Sequence, residues 1–374
     1  MNSSEPLRLA WLTNAPSGDQ IDLLTALASR PEIDLRVIYC SPQSLKGELQ
    51  WSDPCGRGVF LNSSRWSGPA GGLFFNPSIV RVLTRSDYDV LIVSGYAHLT
   101  MQLAMLVRAF QRKPWLLFAE RSGMVQSYSH ALGRQLAMCM VRSAAGVIAT
   151  GRLAQQSFEA QLGPSLRLFS LPYLVKHDEF LRLPRPRKGD ATVNFMACGA
   201  LIPRKGIDVL IKAFQRAAAM RSDISLAIVG DGPERGALNA CVTDDCRRRI
   251  TFRGTVAFAE RAKAFGESDV FIHPARHDGW GVVIHEALAA GMPVIATRET
   301  GAAHELVQDG NNGFLVDAED EDALVERMLW FADNRNEIQQ FSESARAAIS
   351  GLTPEWGAAE LVRITQSISR PTNL

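Results

Sequence analysis

The chain has few cysteines, and none of them is spaced as a metal or disulfide framework would require. Six stand at positions 40, 55, 139, 198, 241 and 246, without a CxxC pair. The Cys241/Cys246 spacing has no His or Cys partner nearby in the sequence. Buried free thiols of a reducing compartment are therefore favoured, and we expect no metal site.

The chain also lacks a membrane-spanning run, a leader and a strong net charge. No stretch reaches the roughly 18 consecutive apolar residues of a transmembrane helix. The N-terminal MNSSEPLRLAWL has no basic region followed by an apolar core. The formal net charge of +1 gives no long-range attraction for nucleic acid or another polyanion. These absences predict a cytoplasmic protein that does not bind nucleic acid.

The chain does contain two successive series of alternating strand and helix patterns. With 374 residues and 46% hydrophobic content it fits a soluble protein of two domains. Apolar strand candidates separated by helical stretches predict an α/β fold with two Rossmann-like, doubly wound parallel sheets. We place the domains at residues 1–180 and 190–350. The Pro-, Arg- and Gly-containing stretch 181–189 is the predicted linker.

Residues 271–297, FIHPARHDGWGVVIHEALAAGMPVIAT, organise the second series. They predict a buried strand, a polar loop with Gly279, Trp280 and Gly281, a helix over 282–290, and a second strand. Free N–H groups at the start of that helix, beginning at Val282, favour a phosphate. Asp278 precedes the glycines, and Glu286 lies about one turn into the helix. For an isolated Gly-x-Gly, a packing turn with two solvated acids would be the better interpretation.

The spacing from Asp278 to Glu286, followed by Ala-Leu-Ala-x-Gly-x-Pro-Val, resembles the donor-site signature of retaining glycosyltransferases of family four. That family has the GT-B fold. The resemblance implies an active site in the cleft between the two domains and a C-terminal helix, here 354–370, that packs back on the first domain. It also implies that Asp278 contacts the donor hexose and that Glu286 holds the ribose. The family usually has Glu where this chain has Asp278.

A basic turn follows the first strand of the second series, in Gly199-Ala-Leu-Ile-Pro-Arg-Lys-Gly. As a lone pair of charges, Arg204 and Lys205 are equally well explained as a solvated turn. The segment resembles the family's G-R-L-x(n)-K-G motif, whose cations neutralise the donor pyrophosphate. Lys205 matches the motif Lys, whereas Ala200 replaces the motif Arg, and Arg204 could supply the missing cation. Since cations can replace a divalent metal in this role, we expect no obligatory metal.

Three further loops resemble donor-side loops of the family. Gly230 and Gly232 match its G-D-G-P turn, although such a sequence is usually just a turn. Phe252-Arg-Gly matches the F-x-G loop, which implies that the nucleotide base lies near Val256. Gly301 and Glu305 match a G-x-x-E pattern in which we interpret Glu305 as structural.

The first half offers weaker acceptor-side candidates. The family often has a Gly-Gly loop after its first strand, where this chain has a single Gly18. It often has a His after the fourth strand, and His98 stands a few residues from that position. A lone His is as readily a structural hydrogen-bonding residue, and Glu120, after the next strand, is the rival acceptor contact.

The stretch 41–76 is predicted to be a long irregular connection rich in aromatic residues, Trp66 among them. A connection of that length is often functional. It is interpreted either as a loop with its own small core or as an acceptor flap that meets sugars or a lipid carrier.

These patterns lead to one functional hypothesis with two rivals. The resemblance implies a retaining, metal-independent hexosyltransferase that uses a nucleoside-diphosphate sugar, UDP- or GDP-linked, and a saccharide or lipid-linked saccharide acceptor. Cell-surface polysaccharide or glycoconjugate synthesis would be its setting, with a possible peripheral contact at the inner face of the membrane. The rivals are a sugar-nucleotide epimerase or phosphorylase on the same fold and a non-catalytic nucleotide-sugar-binding subunit.

Overall fold

The computed structural model describes most of residues 5–369, and of 64–66 and 73 it describes the backbone alone. The stretches outside the description are 16–17, 42–52, 54–55, 63, 67–72, 121–136, 165, 185–191 and 258–259. The chain divides into two compact units. The first contains Met1–Val175 and Leu352–Leu374, and the second contains Lys176–Gly351.

The first unit is built on a parallel sheet of seven strands in the order β3-β2-β1-β6-β7-β8-β9. Its apolar runs are buried on both faces, as in all-parallel sheets, and all five residues of β7 are buried. The strands of this unit are β1 (Leu7–Thr13), β2 (Ile33–Tyr39), β3 (Val59–Phe60), β4 (Ser64–Trp66), β5 (Leu73–Phe75), β6 (Val90–Ser94), β7 (Trp115–Ala119), β8 (Gly146–Ala149) and β9 (Leu168–Ser170).

The stretch predicted to be irregular contains short strands. β3 pairs with β2 at the sheet edge, and β4 and β5 form an antiparallel ribbon. Its aromatic residues divide between core and surface, since Phe74 is buried whereas Phe75 is exposed. Asn76 then donates to the carbonyl oxygen of Cys40 at 3.0 Å, which ties the end of the stretch to β2. The flap hypothesis rests partly on the side chain of Trp66, which lies outside the described atoms.

Helices cover both faces of this sheet, and one of them was not predicted. The helices are α1 (Gly18–Ala28), α2 (Ser78–Arg85), α3 (Leu99–Gln111) and α4 (Arg152–Leu162). α2, the unpredicted one, packs with α3 through buried side chains such as Leu83 and Met105. The opposite face carries α1, with Leu23 in the core. The helix predicted over 131–143 lies partly outside the described residues, and 137–141 are helical.

The second unit is built on a parallel sheet of six strands in the order β12-β11-β10-β13-β14-β15. β10 pairs with β11 on one side and with β13 on the other, so the strand order reverses between β10 and β13. Ligands of open α/β sheets bind at such a switch point. The strands are β10 (Val193–Cys198), β11 (Ile224–Val229), β12 (Ile250–Gly254), β13 (Val270–His273), β14 (Val294–Thr297) and β15 (Gly313–Val316).

The helices of the second unit include the predicted one that starts beside Gly281 and ends before Gly291. They are α5 (Asp178–Leu181), α6 (Ile207–Met220), α7 (Arg235–Ala240), α8 (Arg261–Gly266), α9 (Val282–Ala289), α10 (Gly301–Leu306), α11 (Glu321–Asp333) and α12 (Ile338–Ile349). The predicted apolar stripe of α6 is buried, with Leu210 and Phe214 fully inaccessible.

The last helix, α13 (Pro354–Ser369), belongs to the first unit, where Leu361 and Ile364 join the core beside α1. The expected fold class, two Rossmann-like parallel-sheet domains with a returning C-terminal helix, is confirmed. The predicted linker 181–189 lies partly outside the described residues, and the domain bounds stay a prediction. Among the described helices, none combines the length and apolarity needed to span a bilayer.

Candidate functional site

The candidate site begins where β10 and β13 end, because the loops that follow these neighbouring strands touch. The backbone N–H of Arg276 donates to the carbonyl oxygen of Arg204 at 2.9 Å. Gly206, at φ +65°, lies so close to the second loop that a Cβ there would stand 2.0 Å from the carbonyl oxygen of Pro274. Glycine permits both this φ and this approach. The two predicted motifs therefore form one surface.

Asp278 is the centre of that surface. Its Oδ1 accepts from Nη1 of Arg204 at 2.9 Å, and its Oδ2 accepts from Nζ of Lys205 at 2.5 Å. Nε2 of His273 donates to the same Oδ2 at 3.1 Å. The residue is 8% exposed. The structure thus brings both predicted cations and the first predicted acid together, and it adds a histidine that the motifs did not include.

The electrostatics of this cluster keep Asp278 ionised. Burial by itself would raise the pKa of the carboxyl group, but the His273 hydrogen bond and the positive charge of Lys205 outweigh burial, so that its pKa lies well below the ordinary value. Burial also lowers the pKa of His273, although Asp278 opposes that effect. At neutral pH the carboxylate is a hydrogen-bond acceptor and has no proton to give.

The N-terminus of α9 opens beside Asp278. Gly281 caps the helix at φ +87°, and a Cβ there would stand 2.8 Å from Thr300 Cγ2 and 3.5 Å from Asp278 Oδ2. The N–H of Ile284 donates to the carbonyl oxygen of Gly281 at 3.0 Å, while the N–H groups of Val282 and Val283 come before the first carbonyl oxygen that the helix can offer them. The absence of a side chain at Gly281 therefore lets Thr300 and Asp278 pack closely beside the helix end.

The side chain of Trp280 packs into the protein beneath this loop. It is 2% exposed, and its Nε1 donates to Nε2 of His285 at 3.1 Å. Its carbonyl oxygen accepts from the backbone N–H of Ala302 at 2.8 Å. Gly301 also packs closely against the loop, since a Cβ there would stand 2.4 Å from the carbonyl oxygen of Gly279. The loop is thus held from below by α10.

Glu286, the second predicted acid, is buried within α9 and paired with a cation that sequence reasoning missed. Nη1 of Arg261 lies 2.6 Å from Oε1 of Glu286. Burial raises the pKa of Glu286, and the positive charge of Arg261 opposes that rise. The guanidinium also lies over the ring of Phe180, 5.3 Å from its centroid. The thiol of Cys198 has a pKa raised to about 12 by burial and by the charge of Glu286.

The remaining donor-side loops are joined to the first one. The backbone N–H of Gly230 donates to the carbonyl oxygen of Gly254 at 2.8 Å. A Cβ at Gly230 would stand 1.9 Å from the carbonyl oxygen of Gly199, and one at Gly232 would stand 2.4 Å from that of Leu201. Half-buried Val256 follows β12 by two residues. The ends of β10, β11 and β12 therefore form one continuous edge.

The acceptor-side candidates follow three neighbouring strands of the first unit. Gly18 comes after β1, His98 after β6 and exposed Glu120 after β7, so all three lie at the carboxyl edge of that sheet. His98 is half-buried, and its Nδ1 accepts the backbone N–H of Phe74 at 3.3 Å. Burial lowers its pKa. The contact fits the structural role that we weighed for this histidine, and the acceptor roles stay predictions.

Two residues of the site were missed for different reasons. His273 is a polar residue at the end of the buried strand that leads into Asp278, and its position could have indicated a role. Arg261 precedes Glu286 by 25 positions and belongs to no recognised spacing. Among the described residues, no group of three or more His, Cys, Asp or Glu is arranged to hold a metal ion.

The comparisons with known proteins concern mainly the second unit. Residues 192–334 match the family described as Glycosyl transferases group 1. The chain is 34% identical over 189 residues to a GDP-mannose-dependent alpha-(1-6)-phosphatidylinositol monomannoside mannosyltransferase of Mycolicibacterium smegmatis, covering 46% of this chain and 49% of the relative. It is 32% identical over 191 residues to a GDP-mannose-dependent monoacylated alpha-(1-6)-phosphatidylinositol monomannoside mannosyltransferase of Corynebacterium glutamicum, covering 48% and 49%. The chain thus matches about half the length of these curated relatives.

The solved structures extend the likeness to the whole fold. The crystal structure of Anabaena Alr3699/HepE in complex with UDP superposes with a TM-score of 0.76 at 18% identity, covering 97% of this chain and all of that one. At such identity the likeness concerns the fold alone, which is GT-B. The match to the group 1 glycosyl transferases covers residues 192–334, which is less than half of the chain.

Proposed function

We propose that this protein is a retaining glycosyltransferase that moves a hexose from a nucleoside-diphosphate sugar to a hydroxyl group of a saccharide or lipid-linked saccharide. The observation that carries the proposal is the cluster of Arg204, Lys205 and Asp278 at the switch point, beside the N-terminus of α9. Two cations and a helix N-terminus provide the charge that a diphosphate requires.

The cations would exchange one anionic partner for another when the donor binds. In the chain by itself, Arg204 and Lys205 share the single carboxylate of Asp278. One positive charge therefore remains for a ligand, in addition to the helix end. Negative charge grows on a departing diphosphate, so these groups would stabilise the transition state more than the bound donor. In this proposal no metal ion is obligatory.

Glu286 would hold the ribose hydroxyl groups. Its burial within α9 fixes the carboxylate, and Arg261 offsets the cost of keeping it charged. A charged acceptor of this kind makes stronger hydrogen bonds to hydroxyl groups than a neutral one. Val256 and the edge at Gly230 would border the base.

The low pKa of Asp278 limits its chemistry to positioning. An ionised carboxylate cannot act as a general acid, and the hydrogen bond from His273 to its Oδ2 makes it a poor nucleophile. We therefore propose direct transfer on one face of the sugar. The bond from the anomeric carbon to the diphosphate oxygen breaks, a bond to the acceptor oxygen forms, and the acceptor proton passes to the departing phosphate. Asp278 would hold the hexose hydroxyl groups during this step.

The names of the relatives suggest which donor and which acceptor to test first. The two curated relatives are named as GDP-mannose-dependent enzymes that act on phosphatidylinositol mannosides, whereas the Anabaena protein was crystallised with UDP. GDP-mannose is accordingly the first donor to test, before UDP-sugars. We propose a cytoplasmic protein with a peripheral contact at the inner face of the membrane, in polysaccharide or glycoconjugate synthesis.

Calorimetric binding of UDP, GDP, ADP and dTDP tests the donor site. We expect one diphosphate to bind best, and Glu286→Ala to weaken it about a hundredfold, since two hydrogen bonds to a charged group are lost. Glu286→Gln separates the loss of charge from the loss of contact, because the alanine variant leaves Arg261 unpaired. Glu326→Ala, an exposed acid on α11, serves as the matched control.

Three outcomes would count against the proposal. Equal affinity of the Glu286 variants and the wild type would show that the carboxylate does not hold the nucleotide. Binding without transfer or slow hydrolysis would favour the non-catalytic subunit. Turnover that needs no acceptor alcohol, or that requires inorganic phosphate, would favour an epimerase or a phosphorylase.

A further inference from the structure

The outer face of α3 is apolar, although no residue that the structure describes covers it. Leu99, Leu106 and Phe110 are 41%, 53% and 92% exposed. Their spacing of seven and four residues places them on one side of a helix. The opposite side, with Met101, is buried in the core. The helix is therefore apolar on two faces, and the outer stripe extends over about 16 Å at the usual rise per residue.

A cationic flank accompanies the stripe. Arg81 and Arg85 are one turn apart on α2 and are exposed, while Ile79 and Leu83 of the same helix are buried. Both helices pack on one face of the sheet, so their outer sides form one surface. Arg112, directly after α3, is exposed as well.

The ends of the two helices are joined, which brings the cations near the apolar tip. Nε2 of Gln111 donates to the carbonyl oxygen of Leu83 at 3.1 Å. Phe110 and Arg112 are the direct neighbours of Gln111, and Arg85 follows Leu83 by two positions. We name Arg81, Arg85, Leu99, Leu106, Phe110 and Arg112 the α2–α3 surface.

Acidic residues are few around this surface, and the two that line one pocket with Arg81 and Arg85, Asp34 and Asp87, share it with Arg8 and Arg36 as well. Neither helix contains Asp or Glu, and between positions 76 and 119 the sequence has only Asp87 and Asp89. Asp87 lies 2.5 Å from Nζ of Lys113, and Asp89 pairs with Arg8. Within the described part of the chain, Arg81, Arg85 and Arg112 have no acidic partner. The chain as a whole is almost neutral, so this positive charge is a local property.

We propose that the α2–α3 surface docks on an anionic lipid bilayer. An apolar stripe on a surface helix, flanked by arginines that outnumber the nearby acids, fits the boundary between headgroups and acyl chains. The arginines complement the negative charge of the lipid headgroups. The inference deepens the peripheral contact of the proposed function and rests on it in one respect. α3 begins at the residue after His98, so a lipid-linked acceptor would reach the candidate acceptor edge from the same surface.

Flotation with vesicles tests the surface without donor or acceptor. We expect the wild-type protein to float with phosphatidylcholine vesicles that contain phosphatidylglycerol, and to bind pure phosphatidylcholine much less. The double variant Leu106→Ser with Phe110→Ser should bind about a hundredfold less, because two apolar side chains no longer enter the bilayer. Arg81→Ser with Arg85→Ser should lose about 25-fold on anionic vesicles at low salt. Met220→Ser and Arg248→Ser replace exposed residues of the second unit and should bind as the wild type does.

Two results would overturn the inference. In one, the wild type does not float, or the two double variants float as it does. In the other, light scattering finds a wild-type dimer that the Leu106/Phe110 variant cannot form, without lipid binding, which would make the stripe an interface between copies of the chain. Calorimetry of nucleoside diphosphates on the same variants separates the two proposals. If no nucleoside diphosphate bound, that result would count against the proposed donor site, and it would not change what flotation shows about the α2–α3 surface.

Discussion

The two units share one architecture, but the contacts described at the ends of their strands differ. In the second unit, the loops after β10 and β13 are joined by a backbone hydrogen bond and by the approach of Gly206 to Pro274. The acidic and basic groups there are paired with one another. In the first unit, the candidate His98 accepts a backbone N–H, and Glu120 is exposed.

This difference shows what a motif can specify. Charged groups at a switch point are brought together by the strand order, so their spacing in sequence carries information about their contacts. A single histidine or glycine after a strand has no such partner group. The sequence therefore predicts a group of residues that contact one another for the candidate donor side, whereas it predicts only separate residues for the acceptor side.

The first way to test the comparison is to disturb a glycine in each unit. Gly206→Ala should lower the free energy of unfolding by about 3 kcal/mol or more, since a left-handed backbone and a clash with backbone atoms act together. Gly56→Ala in the first unit has φ +61° and no atom within 4 Å of the added Cβ. It should cost only about 1 kcal/mol, through the backbone conformation alone.

Urea unfolding followed by circular dichroism measures both values. Gly310→Ala, at φ +75° in open space within the second unit, controls for the unit in which the change is made. Similar losses for Gly206→Ala and Gly310→Ala would mean that the loops after β10 and β13 are not tightly packed, and the contrast between the units would disappear.

The second test uses acid, because the second unit buries histidines that must stay neutral. Burial lowers the pKa of His177 to about 4 and that of His285 to about 3. The unfolded chain takes up these protons below about pH 6.5, while the folded chain does not. Stability should therefore decrease as the pH falls from about 6.5 to about 4, by up to about 1.4 kcal/mol per pH unit for each histidine.

Unfolding free energies measured in urea between about pH 6.5 and pH 4 give the slope of stability against pH. His285→Gln removes one of the histidines whose pKa burial lowers, and it should reduce the slope of stability against pH by that histidine's share, whatever the substitution costs at neutral pH. An unchanged slope would show that His285 is protonated in the folded protein as readily as in the unfolded one. The two units should also separate, with the second losing its structure at the higher pH.

The sequence predicted most of the helices and strands of the second unit and fewer of those of the first. The start of α9 at Gly281 and its end before Gly291 follow from local rules of helix termination, and the structure has both. The pairing of Glu286 with Arg261 did not follow, because it joins two helices that no motif relates. Short strands such as β3 and β4 were also missed, since they depend on pairing with a neighbour more than on their own composition.

The third test compares one histidine of each unit, and its expected effect is the smallest. His273→Leu removes a buried donor from Asp278. If the proposed function holds, kcat should fall about tenfold with donor affinity nearly unchanged, because the carboxylate is misplaced in the transition state and the cations still hold the diphosphate. His273→Gln keeps a donor and should recover part of the rate.

His98→Leu is the counterpart in the first unit. It leaves the N–H of Phe74 without its acceptor and should cost about 1 kcal/mol of stability with donor affinity unchanged. Steady-state kinetics and calorimetry on both variants measure these effects. A folded His98→Leu protein without turnover would place the acceptor chemistry on His98, as the family resemblance implies. A His273→Leu protein with full kcat would mean that Arg204 and Lys205 alone are sufficient to position Asp278.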